Sequence, residues 1–249
     1  MTSKTLTGKI FWNESAPYFD RTLSTKYLVY PLLKRLCGNV KEKNVLDVAC
    51  ANGELAIYLA EKGAKVTGVD YSQRMIQSAM LKAKAKGVTN IEFFTVDARH
   101  LEFLAPQKYN IIIINVLLPH LKLKNDIEKF FKGVEERLSI DGKVLLAEPH
   151  PCFDYLLRKE IFKKNRSTSY FESGKAYQFA IKLAEGKKTL NSIAYHWSIQ
   201  DYASAIHLAD LVIKNIHEPI PTKGLAKKFP RWYKEKVAYP SYIILELGK

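Results

Sequence analysis

No apolar run in this chain approaches the roughly 20 residues that cross a bilayer, and the opening segment MTSKTLTGKI lacks the apolar stretch of a signal peptide. Cysteine is scarce. Its three residues, Cys37, Cys50 and Cys152, are widely spaced and form no CxxC pair, which argues against a disulfide framework and a structural zinc site. No HExxH spacing occurs, and Cys152 beside His150 is too little to build a metal centre. Together these absences predict a cytoplasmic protein in a reducing compartment, with no membrane contact and no bound metal. Arginine is also sparse, at eight of the 39 basic residues. Acidic residues number 25, leaving a net charge of +14. Such a charge raises the question of a nucleic-acid partner, because lysine and arginine release counterions on binding phosphates. Bidentate readout favours arginine, however, and the lysines run from Lys4 to Lys249. Two denser patches stand out. One runs from Arg158 through Lys163 to Arg166; the other spans Lys223 to Lys236 with Trp232 and Tyr233 interleaved. A solvated lysine-rich surface is the preferred reading, with nucleic acid possible but not favoured.

With 249 residues, 47% of them apolar, the chain is long enough for one large core. Between residues 43 and 149, short β-branched runs alternate with helical segments, the pattern of βαβ units on a parallel sheet. Strands are predicted at Asn44 to Val48, Lys65 to Val69, Ile91 to Val96, Tyr109 to Ile114 and Lys143 to Ala147. Met75, Ile76, Ala79 and Ala83 mark one helical stripe; Ile127, Phe130, Phe131, Val134 and Leu138 mark another. Asn125 is the expected N-cap of the second, and Gly142 is expected to end it. Ser15 to Cys37 reads as helix interrupted at Pro31. Residues 150–197 carry many aromatics among charges and read as a mostly helical cover. A helix over Gln200 to Leu211, a strand near Val212 to Glu218, a Pro-rich loop and a strand from Tyr242 to Leu247 follow. The expectation is one domain: a cap at 1–42, a ligand-binding core at 43–149, the cover at 150–197, and a closing segment at 198–249.

The chemistry-bearing segment is Val45-Leu46-Asp47-Val48-Ala49-Cys50-Ala51-Asn52-Gly53, a strand entering a turn of small residues before a helix. Small residues let a ligand lie against the backbone, and free N–H groups at a helix start favour anionic groups. The second strand ends in Asp70, where a carboxylate can accept both hydroxyl protons of a ribose. The third runs into Asp97-Ala98, the fourth ends at Asn115, and Glu148 follows the fifth. A small-residue turn alone suits an NAD site or a purely structural turn as well. With this set of strand-end residues, the sequence resembles the class I S-adenosylmethionine-dependent methyltransferases, specifically the branch acting on small molecules. The match is close over about residues 40–150. It implies a Rossmann-like α/β fold: a seven-stranded, mostly parallel sheet with helices on both faces and the cover inserted after the fifth strand.

The resemblance implies S-adenosyl-L-methionine as cofactor. Asp47, Ala49, Cys50, Ala51 and Gly53 would shape the methionine end of its pocket; Asp70 would hold the ribose. Tyr71 and Met75 would flank the adenine, Asp97 and Ala98 would recognise it, and Asn115 would lie beneath the sulfonium. Ala51 departs from the family's usual glycine. Near the N-terminus, Trp12, Tyr18 and Phe19 are candidates to fold over the donor, Tyr18 by bonding its carboxylate. Methyl transfer demands alignment more than charge stabilisation, with a base to take a proton from the acceptor. His150, His196 and His120 follow or face strand ends and are the candidate bases, each weighed against plain packing. The expected activity is transfer to an O or N nucleophile of a small molecule. A methyltransferase acting on RNA or another large anion is the alternative, although the Pro-Pro-aromatic motif of base-methylating enzymes is missing from Asn115 to Leu118. A dehydrogenase or non-catalytic nucleotide-binding protein ranks third, having only Gly53 where the dinucleotide fingerprint has spaced glycines. Neither the acceptor nor the oligomeric state is legible.

Overall fold

The computed structural model describes residues 8–18, 22–153, 169–183 and 188–249. Its main sheet has the strand order β3-β2-β1-β4-β5-β9-β8. The first five strands are β1 (Asn44–Val48), β2 (Lys65–Asp70), β3 (Ile91–Thr95), β4 (Tyr109–Asn115) and β5 (Leu138–Pro149), all mutually parallel where they pair. The edge beyond β5 is completed by β8 (Val212–His217) and β9 (Tyr242–Gly248), with β9 antiparallel to both neighbours. The α/β, seven-stranded, mostly parallel architecture expected from the sequence is therefore the one observed.

Strand alternation distributes the side chains to two cores. Leu46, Val48, Ile112, Ile114, Val144 and Leu146 enter one core with Ile127, Phe130, Phe131 and Val134 of α5 (Lys124–Arg137). It also takes in Tyr202, Ala205 and Ile206 of α6 (Ile199–Leu208). Val45, Ile111, Ile113, Leu145 and Ala147 enter the other. They meet Leu33 of α2 (Tyr30–Cys37), Leu55 and Leu59 of α3 (Glu54–Glu61), and Ile76 and Ala79 of α4 (Gln73–Ala85). Burial on both faces explains why β4 reads Ile-Ile-Ile-Ile without polar alternation. Each of those side chains contributes on the order of 1.5–3 kcal/mol by leaving water.

Several local expectations are corrected. Helix α5 begins at Lys124 with Leu123 in the cap position, so Asn125 lies inside its first turn. It ends at Arg137, and Gly142 falls within β5 instead of a turn. Pro31 sits in the first turn of α2, where its missing N–H costs nothing, and follows a π-helical turn at Thr25–Val29. Short helices α7 (Leu225–Lys228) and α8 (Pro230–Ala238) occupy part of the segment read as a Pro-rich loop.

The main correction concerns the cover. Residues 151–153 are helical, but most of its described residues form an antiparallel hairpin of β6 (Ala176–Leu183) and β7 (Lys188–Tyr195), where a mostly helical segment was expected. Residues 154–168, with the first basic patch, lie outside the described residues. Trp197 anchors the end of the hairpin by donating from Nε1 to the Leu121 carbonyl at 3.0 Å. Ser198 and Asp201 then form a capping box on α6.

Two contacts shape the ligand-facing edge of the sheet. Phe93 of β3 pairs with Gly68 of β2 and folds its ring over that glycine; a Cβ there would meet ring carbons at 2.6 Å. The same ring blocks a Cβ at Gly53, whose φ of 74° already demands glycine at the N-cap of α3. On the other side, Glu148 is fully buried and its Oε1 accepts from the Leu117 and Leu118 N–H groups, at 2.9 and 3.0 Å. That carboxyl fixes the chain leaving β4.

Gly68→Ala is expected to destabilise the protein by roughly 1–3 kcal/mol through overpacking, and adding Phe93→Leu should recover part of the loss in denaturant melts. Burial pushes the Glu148 carboxyl from 4.5 to about 8, against the opposing pull of the two N–H groups. A carboxyl raised in the folded state holds a proton there that the unfolded chain releases, so stability should fall as pH rises from about 4.5 to about 8. Thermal melts of Glu148→Gln should lack that slope across the same window.

Candidate functional site

The order 3-2-1-4-5 means that the chain leaves β1 toward β2 and returns across it to β4, which opens a crevice between the carboxyl ends of β1 and β4. A cavity of about 630 Å³ lies there. Its floor is the backbone of Ala49, Ala51 and Val116, with φ values of 58°, 49° and 59°. Each side chain in this left-handed region costs about 1–2 kcal/mol, and such residues gather where a ligand approaches the chain.

Asp70 closes one wall. Its Oδ2 accepts from the Ala51 N–H at 3.0 Å and its Oδ1 from the Ser72 N–H at 2.8 Å, tying the turn after β1 to the turn after β2. Tyr71 and Asn115 also line the cavity. The Tyr71 hydroxyl and the Asn115 Oδ1 are buried with no hydrogen-bond partner among the described residues. Burial, then the nearby Asp70 and Asp97 carboxylates, pushes the Tyr71 phenol upward, so it remains a donor. Asp97 and Ala98 form the far wall with Arg99, whose guanidinium bonds both carboxylate oxygens of Asp97. Burial alone would raise the Asp97 carboxyl, but the Arg99 bonds outweigh it and hold it below the usual range.

Other expected residues stand behind the walls. Met75 is fully buried with Ala16 and Ala51, and Trp12 packs on that cluster. Cys50 is buried beneath the turn, its Sγ 3.7 Å from the Ala51 carbonyl oxygen. Asp47 is buried within β1, opposite Gly68 and Ile113. Gly53 turns the backbone into α3. These four support the cavity without lining it. Tyr18 ends a short 3-10 turn, Ala16–Tyr18, and its side chain lies outside the described residues, as does Phe19.

Opposite the strand ends, α1 (Gly8–Ser15) and the hairpin bring rings together. His120 stands 5.4 Å from the Trp12 ring and 5.7 Å from the Phe179 ring, with Phe11 packed behind Phe179 at 5.4 Å. Burial in this setting pushes the His120 imidazole down to about 4. His120, Trp12 and Phe179 all line the cavity.

The other two candidate histidines do not line it. His150 is buried on Phe153 with Nε2 3.4 Å from Glu218 Oε1. His196 is buried on Tyr170, and its Nε2 lies 2.7 Å from the Tyr170 carbonyl oxygen. A carbonyl can only accept, so that nitrogen carries the proton and is closed as a base. Sequence reasoning missed Arg99, Val116 and Tyr242, all of which line the cavity, as does Phe179, one of the cover aromatics expected to serve both as its core and as pocket lining. The helical reading concealed the strand that carries Phe179, although Tyr177 and Phe179 flank the polar Gln178 at the two-residue spacing of one strand face.

Among the described residues no helix is long and apolar enough to cross a membrane. No group of three or more His, Cys, Asp or Glu residues among them could hold a metal.

A family described as a methyltransferase domain matches residues 39–208. A Geobacillus sp. (strain WCH70) protein, provisionally named a methyltransferase, is 36% identical over 130 residues, 51% of each chain. A ubiquinone biosynthesis O-methyltransferase of Leptothrix cholodnii is 29% identical over 89 residues, 36% of this chain and 38% of its own. The chain thus matches about half or less of the length of these curated relatives. Among solved structures, an S-adenosylmethionine-dependent methyltransferase from Mesorhizobium loti superposes with a TM-score of 0.66 at 19% identity, over 88% of this chain and 96% of that one. The magnesium protoporphyrin IX methyltransferase of Synechocystis gives 0.58 at 19% identity, over 95% and 92%. Strand order, cavity position and the match over residues 39–208 agree: the chain belongs to the methyltransferase-domain family.

Proposed function

We propose that this chain transfers the methyl group of S-adenosyl-L-methionine to an oxygen or nitrogen nucleophile of a small molecule. The observation that carries the reading is the set of acceptor groups around one cavity: the Asp70 carboxylate, the Asp97 carboxylate and the unpartnered Asn115 Oδ1. A ligand offering ribose hydroxyls, an exocyclic amine and an ammonium group matches those acceptors, and the left-handed floor leaves its backbone accessible. When bound, the donor supplies an electrophilic methyl on a sulfonium.

The chain's own residues then have separable roles. Asp70 accepts from the ribose hydroxyls, Tyr71 flanks the base, and Asn115 accepts from the ammonium end. Trp12 offers an aromatic face beside the cationic centre. The residues around the cavity would contribute mainly by holding donor and acceptor in line, since the positive charge passes from the sulfonium to the acceptor and leaves with its proton. His120 takes the acceptor's proton. Its imidazole, pushed down to about 4 by burial, is unprotonated throughout the neutral range.

Small acceptors are favoured by a cavity within the roughly 300–1,000 Å³ of small-ligand pockets, and by relatives named for ubiquinone biosynthesis and magnesium protoporphyrin IX. The family match leaves a dehydrogenase reading without support. Three free cysteines fit a reducing, cytoplasmic setting.

Formation of S-adenosylhomocysteine should be followed with phenols, carboxylic acids and amines, and with total RNA as the comparison. Turnover with a small acceptor is expected, and turnover with RNA alone would overturn the acceptor class. Asp70→Ala should raise KM for the donor about 10- to 100-fold by removing charged hydrogen bonds. With a phenolic acceptor, kcat/KM should stay level from neutral pH down to about 5 and fall only toward about 4, where His120 takes up a proton. His120→Asn should lower kcat by about 10²- to 10⁴-fold and abolish that limb. A wild-type limb centred above pH 6 would remove His120 from the role.

A further inference from the structure

The far wall of the cavity carries a charged group that no part of the proposed reaction uses. Arg99 lines the cavity next to Asp97 and Ala98, and its hold on Asp97 is three-pointed. Its backbone N–H donates to Asp97 Oδ1 at 3.0 Å, Nε donates to the same oxygen at 3.0 Å, and Nη2 donates to Oδ2 at 2.7 Å. The other side of the guanidinium faces Asp126 of α5, with Nη1 3.8 Å from Oδ2. Asp126 lines the same cavity.

Counting lone pairs gives the consequence. An ionised carboxylate has about four acceptor positions, two on each oxygen. Arg99 occupies both on Oδ1 and one on Oδ2, leaving a single position on Oδ2. The planar fork fixes the carboxylate's rotation as well as its charge, which a lysine at this position could not do. Asp126 holds the fork from behind, so the arrangement is in place before any ligand arrives.

We propose that Arg99 is a positioning residue for purine selectivity: it restricts Asp97 to one outward acceptor position that recognises the 6-amino group of the donor's adenine. A purine with that amine fills the position. One without it leaves that remaining position unfilled. This inference rests on the reading of the cavity as the donor site.

The test compares dissociation constants of S-adenosylhomocysteine and its purine analogue lacking the 6-amino group, by calorimetry at one salt concentration. The wild type should prefer the amino compound by at least about tenfold, the worth of a hydrogen bond to a charged group. Arg99→Met should narrow that preference to under about threefold, while the affinity for the des-amino analogue changes by less than about twofold. The unchanged analogue affinity shows that the pocket is intact, an outcome general damage would not give. Arg99→Lys keeps the charge beside Asp126 and supplies the same ratio should the Met variant melt early; it should behave like Met. A preference retained in either variant, or none in the wild type, would overturn the role of Arg99. Loss of both ligands at an unchanged melting temperature would do so too. Failure of the wild type to bind either compound would instead overturn the donor reading itself, and with it this inference.

Discussion

The Asp70 carboxylate organises the site. It accepts from the Ala51 N–H on one oxygen and the Ser72 N–H on the other, at 3.0 and 2.8 Å, and so joins the loops leaving β1 and β2 into one rim. Charged hydrogen bonds of this kind are about twice as strong as neutral ones. The floor depends on them, because Ala51 sits at a φ of 49° and Ala49 at 58°, conformations that an unanchored alanine would leave. Ser72 in turn caps α4 by accepting from the Met75 N–H, which seats Met75 against Ala51 from below. One carboxylate therefore connects the left-handed turn, the helix start and the buried support beneath it. It also lines the cavity.

The opposite rim is held on the same principle with a different charge state. Glu148 gathers the Leu117 and Leu118 N–H groups in full burial, which favours its protonated form near neutral pH, whereas Arg99 keeps Asp97 ionised. Both carboxyls hold loops at strand ends. Only Asp97 meets the cavity. Neutral carboxyl at the β4–β5 side and anions at the β2–β3 side give the crevice a polarity matched to a ligand whose hydrogen-bond donors lie at its ribose and base. The acceptor end is built from rings instead: Trp12, His120 and Phe179, delivered by α1, the turn after β4 and the hairpin.

How much was legible in the sequence follows from the range of the interactions involved. Strands β1 to β5 were readable because burial on both faces demands continuous apolar runs, as in Ile111 to Ile114. Asp70, Asp97 and Asn115 were readable because strand ends set their positions to within a residue. The hairpin was missed because its alternation, Tyr177 and Phe179 against Gln178 and Ala180, is short and lies among charges that suit an exposed helix equally well. The histidines illustrate the limit most clearly. His150 and His196 stand at the expected places in the chain, but Glu218 and the Tyr170 carbonyl, distant in sequence, turn them elsewhere. Arg99 escaped notice because its fork onto Asp97 depends on the 3-10 turn at Ala98–Phe103, which the residue types alone do not announce.

The central claim is that the crevice between β1 and β4 is the methyl donor's site. Solving the structure of crystals grown with S-adenosylhomocysteine tests it most directly. Density for the ligand across Ala49, Ala51 and Asn115, with its ribose on Asp70, is the expected result. Density elsewhere on the molecule, or an undisturbed crevice at saturating ligand, would contradict it.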